Sequence, residues 1–369
     1  MRYIDEFRNK KLIEKICAKI KKITPSYHIN IMEVCGTHTQ SFFRFALDKL
    51  LPKNLRLISG PGCPVCVSTQ EYIEETIRLA KDKKNIILTF GDLLRVPAAN
   101  STLEQERAKG AQVVVVYSPW DSLNFAQTNP KKRIIFLAVG FETTAPTIAL
   151  SILAAKKQNI RNLFFFSALK LIPPAMRYLA EDPQLRLHGF LCPGHVSTII
   201  GTSSYEFIPR RYGIACCVAG FEPLDILEGI YLLIQQIADK KPTVANQYIR
   251  VVTRTGNLKA KRVIQQVFKV SDASWRGLGN IPKSGLRIKK EFARFDAEDI
   301  FSLRPKTYDS KLITNRCRCG DVLKGIISPT ECPLFSKTCS PQNPQGPCMV
   351  SYEGACNAYF KYRSKDKNI

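Results

Sequence analysis

The chain has 369 residues, 45% of them hydrophobic, and a formal net charge of +24. That length predicts two or three domains with full cores, and no apolar run is long enough to span a bilayer. Met1 to Glu6 carry no signal-peptide pattern and no nucleic-acid motif accompanies the scattered lysines, so the expectation is a cytoplasmic protein without a membrane segment or a specific nucleic-acid partner.

Thirteen cysteines in such a chain point to metal or thiol chemistry rather than to a disulfide scaffold. Residues 4–23 read as a helix, with Leu12, Ile16 and Ile20 on one stripe and Cys17 beside it as a core residue. Ile29 to Val34 reads as a strand, followed by Cys35-Gly36-Thr37-His38-Thr39 and a helix over Ser41 to Leu51. A histidine three residues after a cysteine can share a metal or act as a base on the thiolate, or each can simply be satisfied by a turn.

Leu55 to Ile58 reads as a buried strand. The turn Ser59-Gly60-Pro61-Gly62 follows, then Cys63-Pro64-Val65-Cys66 and a helix running to Lys83. Thiols at a strand-to-helix junction are favoured as thiolates by the helix dipole and free amides. They can serve as nucleophile, redox pair or metal ligands; the plain alternative is two small buried hydrophobes.

Short β-branched runs recur at Ile86 to Phe90, Val113 to Tyr117, Ile134 to Val139, Leu163 to Ser167, Gly189 to Leu191 and Ile214 to Ala219, with helical or turn-like stretches between. This alternation predicts an α/β fold with parallel sheets covered on both faces. Gly140-Phe141-Glu142 echoes Gly220-Phe221-Glu222, and Pro61-Gly62-Cys63-Pro64-Val65 echoes Pro193-Gly194-His195-Val196. The echoes suggest two similar α/β halves facing a cleft. The expected division is 29–130, 131–241, and a third, mostly helical and loop-built domain from 1–28 with 242–369. Ligands of parallel sheets bind beyond the carboxyl ends of strands, where all these turns lie. Glu142 and Glu222 there are candidates for a cation partner, a hydrogen bond or a cap. Lys259 to Lys269 reads as a helix, and Trp275 to Arg304 as rich in Gly, Pro and charge.

The tail gathers Cys317, Cys319, Cys332, Cys339, Cys348 and Cys356 among prolines and glycines that exclude a long regular element. Such a segment needs a staple. Zinc and iron–sulfur both take four thiolates. No Cys-x-x-Cys knuckle is present in the tail, and the loose spacing of Cys319, Cys332, Cys339 and Cys356 suits a 4Fe–4S cluster. Cys317 and Cys348 are left as a candidate redox pair. The alternation Cys317-Arg318-Cys319 leaves the split between ligand and redox thiol open.

Taken together, Glu33-Val34-Cys35-Gly36-Thr37-His38-Thr39, Gly60-Pro61-Gly62-Cys63-Pro64-Val65-Cys66, Gly140-Phe141-Glu142-Thr143-Thr144-Ala145-Pro146, Pro193-Gly194-His195-Val196-Ser197, Ala219-Gly220-Phe221-Glu222-Pro223 and the tail from Cys317 to Glu353-Gly354-Ala355-Cys356 resemble the HypD family of hydrogenase maturation factors. The resemblance covers nearly the whole chain. It implies a scaffold on which the Fe(CN)2CO unit of NiFe hydrogenase is assembled. The partners it implies are a HypC-type small chaperone, a HypE-type cyanide donor and, indirectly, the hydrogenase large subunit. By position, Cys35 would bind the mononuclear iron, with His38, Cys63 and Cys66 at the assembly and redox site. Cys319, Cys332, Cys339 and Cys356 would hold the 4Fe–4S cluster, Cys317 and Cys348 would relay electrons, and Glu353 would lie near the cluster. Gln40 stands where members of this family often carry a second histidine. Cys192, Cys216 and Cys217 lie outside the motifs. Rival readings are an iron–sulfur-dependent dithiol/disulfide oxidoreductase and a zinc-stabilised nucleic-acid binder.

Overall fold

A computed structural model describes residues 5–303 and 317–363. The expected helix over 4–23 begins at Ile4, outside the described residues; the described helix is Lys10–Ile23, capped by Asn9. Ile16, Cys17 and Ile20 are buried on it, whereas Leu12 is exposed.

The strands fall largely on the apolar runs singled out in the sequence. They are β1 (Ile29–Glu33), β2 (Leu55–Ser59), β3 (Asn85–Thr89), β4 (Val113–Val115), β5 (Arg133–Gly140), β6 (Leu163–Leu169), β7 (Gly189–Pro193), β8 (Ala215–Ala219) and β9 (Val244–Asn246). They build two wholly parallel sheets, β2-β1-β7-β8-β9 and β4-β3-β5-β6. From Ile134 to Gly140, β5 is buried along its length, as a strand covered on both faces must be.

Sheet membership does not follow the expected division at 130 and 131. β1 and β2 pair with β7 and β8, so β3 to β6 are inserted between the second and third strands of the first sheet. The resemblance of the halves holds in strand order. Each sheet runs second, first, third, fourth by its own chain order. The echoed motifs occupy different places, however. Gly140 ends the third strand of one sheet, and Gly220 follows the fourth of the other.

Residues expected in the third domain are also distributed. Helix Lys10–Ile23 packs its Ile16 and Ile20 with Ile29, Leu227 and Ile230 in the core of the first sheet. An antiparallel hairpin of β10 (Phe268–Trp275) and β11 (Gly279–Ile288) runs into the stretch noted for Gly, Pro and charge, and it takes Phe268 and Lys269 from the expected helix, which ends at Val267. It joins the outer edge of β6 through a Lys170 to Gly285 bridge. Trp275 is buried at its tip and donates to Ser284 Oγ at 2.8 Å. The tail carries only short helices before Ala355–Arg363, which packs on helix Gly36–Arg44.

Candidate functional site

Cys35 lies two residues past the end of β1 and is the N-cap of helix Gly36–Arg44, which begins several residues earlier than expected. Cys63 caps the four-residue helix Pro64–Val67, and the long helix Gln70–Lys81 starts separately under Thr69. A Cβ on Gly62 would lie 2.3 Å from Cys35 N and 2.4 Å from Val34 C. Only glycine therefore lets the second loop press its backbone onto the first. Gly36 N completes the contact by donating to Gly62 O at 3.2 Å. This brings Cys35 beside the Cys63/Cys66 pair, whose Sγ atoms are 2.6 Å apart.

A third loop closes on the same point. Thr37 Oγ1 donates to Glu353 Oε1 at 2.9 Å, and Gln40 Nε2 donates to Tyr352 O. Ser351 Oγ donates to Asp92 Oδ2 at 2.6 Å. Pro64, Asp92, Thr144 and Glu353 are among the residues around a cavity of about 200 Å³ there, at the carboxyl ends of β3 and β5. Glu353 thus lies beside Cys35. Gln40 ties the tail to the site, and its Oε1 has no partner among the described residues.

Burial governs the thiols. Desolvation pushes Cys35 up to about 12, with Glu353 and Glu33 adding to the rise. Cys66 is raised by burial and by contacts with Cys348 and Cys63. At Cys35 any stabilisation of the thiolate by the helix start is outweighed. A dipole contributes up to ~2 kcal/mol, and the rise at Cys35 corresponds to about 4 kcal/mol. These sulfurs favour the thiol form until a cation arrives to replace the proton.

His38 is buried, with Nε2 facing Gly220 O at 2.9 Å and Ala219 O at 3.2 Å. That geometry assigns the proton to Nε2 and leaves Nδ1 without a partner among the described residues. Burial lowers its pKa to about 4, so the ring is neutral. Phe221 is wedged between His38 and His195, with centroids at 4.8 and 4.0 Å.

The two candidate glutamates have structural partners. Glu222 caps helix Pro223–Ala238 and pairs with Arg8, whose Nη2 lies 2.9 Å from Oε1. Glu142 accepts from Ile172 N at 3.0 Å, tying the β5 loop to the β6 loop, and its Oε2 has no partner among the described residues. Burial lifts Glu142 to about 7. A carboxyl raised on folding stabilises the fold below its unfolded pKa, and that contribution is lost as pH climbs through the folded one. Glu142→Gln is expected to remove about 3 kcal/mol of the stability lost between pH 4.5 and 7. Urea midpoints at both ends of that range measure it, and an unchanged pH slope would refute it.

The tail sulfurs converge. Cys317, Cys319, Cys332, Cys339, Cys348 and Cys356 line one cavity together with Val322, Leu334, Phe335 and Met349. Cys319 touches Cys317 and Cys348, and Cys348 touches Cys319, Cys356 and Cys66. A line of sulfur contacts therefore runs from Cys63 through Cys66 to the tail. Among the described residues no three His, Cys, Asp or Glu side chains are set as a ready site for a single ion. Six thiols around one apolar pocket do provide the donor set of a four-thiolate cluster. Cys192 and Cys216 touch each other inside the first sheet and belong to its core, with Cys217 beside them.

Asp92 and Arg276 join these loops and stand in none of the motifs singled out in the sequence; Ser351 lies within the tail match but is not singled out there. A larger cavity, about 780 Å³, lies elsewhere, between β6 and the β10–β11 hairpin. It holds buried Lys170, which desolvation lowers to about 8, and none of the residues selected from sequence. No helix among the described residues is long and apolar enough to cross a membrane.

The family described as "HypD: Hydrogenase formation hypA family" matches residues 10–363. The hydrogenase maturation factor HypD of Cupriavidus necator is 43% identical, over 99% of this chain and 98% of its own length. That of Escherichia coli K12 is 43% identical over 99% of both chains. That of Azotobacter vinelandii is 44% identical over 98% of this chain and 97% of its own.

Proposed function

The chain belongs to the HypD family of hydrogenase maturation factors, and from that premise we propose that it is the scaffold on which the Fe(CN)2CO unit of NiFe hydrogenase is assembled. The observation that carries this reading is the contact of Gly62 with the Cys35 backbone, which sets the loop of the lone thiol against the loop of the dithiol. Cys35 offers the iron substrate a soft thiolate, the ligand type that suits low-spin iron with cyanide and carbonyl. Its raised pKa means that iron binding releases the proton held on Sγ. Glu353 and Glu33 are carboxyls that a cation there would favour in the charged form; burial raises both, Glu33 to about 8, so iron binding also draws on protons held by these groups. His38 holds the β8 loop against the site through Nε2.

Cys63 and Cys66 exchange electrons with the site, and Cys66 meets Cys348. The contacts favour Cys319, not Cys317, as the partner of Cys348, because Cys319 and Cys348 form the middle of the sulfur line. Cys317, Cys332, Cys339 and Cys356 would then hold the 4Fe–4S cluster. That group supplies electrons one at a time. A HypC-type chaperone and a HypE-type cyanide donor are the partners in this reading, and the cytoplasm is its compartment.

Cys35→Ala is expected to keep the fold and the cluster iron but to abolish the infrared bands of bound cyanide and carbonyl in protein purified with its small partner. Bands that survive would overturn the role and leave a plain dithiol reductase, which does not need Cys35. Cys317→Ala should lose cluster iron and sulfide, whereas Cys319→Ala should keep both. The reverse result would return Cys319 to the ligand set.

A further inference from the structure

The sulfur line has one opening. Every described cysteine is buried except Cys317, which is half-buried. Cys317 and Cys319 share a cavity of about 260 Å³ with Gln70, Pro97, Arg276 and Gln345. That volume lies near the lower end for small-molecule sites, roughly 300–1,000 Å³, and is too small for a folded partner's loop.

Arg276 is fixed at the wall. Its backbone N donates to Val67 O at 2.9 Å, and its Nε donates to Ser68 O at 2.7 Å. It is thereby anchored to the end of the Cys63–Cys66 helix. Its buried Nη2 has no acceptor among the described residues. An unmet buried donor costs about 1–3 kcal/mol, which an incoming carboxylate would offset through a charge-assisted bond. The other cation in this cavity is already committed, since Arg318 Nε pairs with Asp321 Oδ2 at 2.8 Å.

We propose that this cavity docks a small carboxylate-bearing thiol, held by Arg276, that reduces the Cys319–Cys348 disulfide from solvent. The inference rests on the relay reading above. The thiolate attacks Cys319 Sγ, which lines the cavity, and the bond to Cys348 breaks. Cys348 is absent from this wall and nearly fully buried, so it is the leaving thiolate and takes up a proton. A second thiolate attacks the outer sulfur of the mixed disulfide. This frees the small disulfide, and Cys319 is protonated. Two external thiols give up two electrons in all.

The test uses oxidised, cluster-loaded full-length protein under anaerobic conditions. Mass spectrometry first identifies the disulfide; then its reduction rates by thioglycolate and by β-mercaptoethanol are compared. Arg276→Gln is expected to lower the thioglycolate-to-mercaptoethanol ratio about tenfold, the effect of losing one charge-assisted contact. The exposed control Lys259→Gln should leave the ratio unchanged. In the parent protein, high salt should slow thioglycolate and spare β-mercaptoethanol, which tests the idea even where the variant fails to fold. A ratio equal in parent and Arg276→Gln, a ratio insensitive to salt, or an equal fall in the control would each overturn the proposal. If Cys348 pairs with Cys317 instead, the relay assignment fails and this inference falls with it. If Cys319–Cys348 forms but the ratio does not move, only this inference falls.

Discussion

Gly62→Ala is expected to destabilise the protein by about 3 kcal/mol and to uncouple Cys35 from Cys63 and Cys66. The added methyl would meet backbone on every side: Cys35 N at 2.3 Å, Val34 C at 2.4 Å and Cys35 Cα at 2.5 Å. Side chains can rotate away from an intruding carbon, but these atoms belong to the end of a central strand and the start of a helix. The Gly60 to Cys63 loop must move instead. That motion would break the Gly36 N to Gly62 O bond, carrying the dithiol away from the lone thiol. A control lies in the same cleft. A Cβ on Gly91 would find only Val115 Cγ1 at 3.8 Å, an ordinary contact, so Gly91→Ala should be tolerated. Urea unfolding measures the stability, and infrared bands of the iron unit measure the coupling. A Gly62→Ala variant within about 0.5 kcal/mol of the parent, with its bands intact, would remove the close approach as the organising contact.

Asp225→Ala is expected to cost a further large amount, about 3 kcal/mol, by a different route. Asp225 is fully buried in the first turn of helix Pro223–Ala238. Its carboxylate accepts from both Arg250 terminal nitrogens at 2.8 and 2.6 Å and from Gln247 Nε2 at 2.8 Å. It also accepts from Glu222 N at 3.3 Å. Breaking a buried pair costs about 3–5 kcal/mol because the remaining charge is left without a partner. Arg250 keeps about a quarter of its side chain in solvent, which moves the figure to the lower end. The Gly220-Phe221 loop that faces His38 starts this helix, so iron loading should weaken as well. Asp225→Asn, which keeps volume and some acceptors, should cost less than Asp225→Ala. Equal stability of Asp225→Ala and parent in a urea titration would contradict the buried pair.

Much of the architecture was legible because its signals are local. The β-branched runs at Ile134 to Val139 and Ile214 to Ala219 need burial on both faces, and each is followed by a glycine turn. The hairpin was missed because β10 alternates only partly, with exposed Lys269, Val270 and Asp272 facing solvent. Gly277 and Gly279, in the stretch noted for its glycines, take positive φ at the hairpin turn. The rise at Cys35 and Cys66 has a cause that local sequence does not carry: a helix dipole acts over one turn, whereas desolvation acts on the whole buried sulfur.

From residues alone came the two-period alternation, the parallel sheets, the placing of every Gly- and Cys-bearing turn at a strand's carboxyl end, and the family to which the chain belongs. These follow from side-chain size, turn chemistry and motif, which neighbours along the chain dictate. Only the tertiary structure decided that β1 and β2 close the first sheet around an inserted second one, that Gly62 presses on Cys35, and that Cys66 meets Cys348. Strand pairing and sulfur contact depend on which distant surfaces exclude water together, a quantity no local pattern carries.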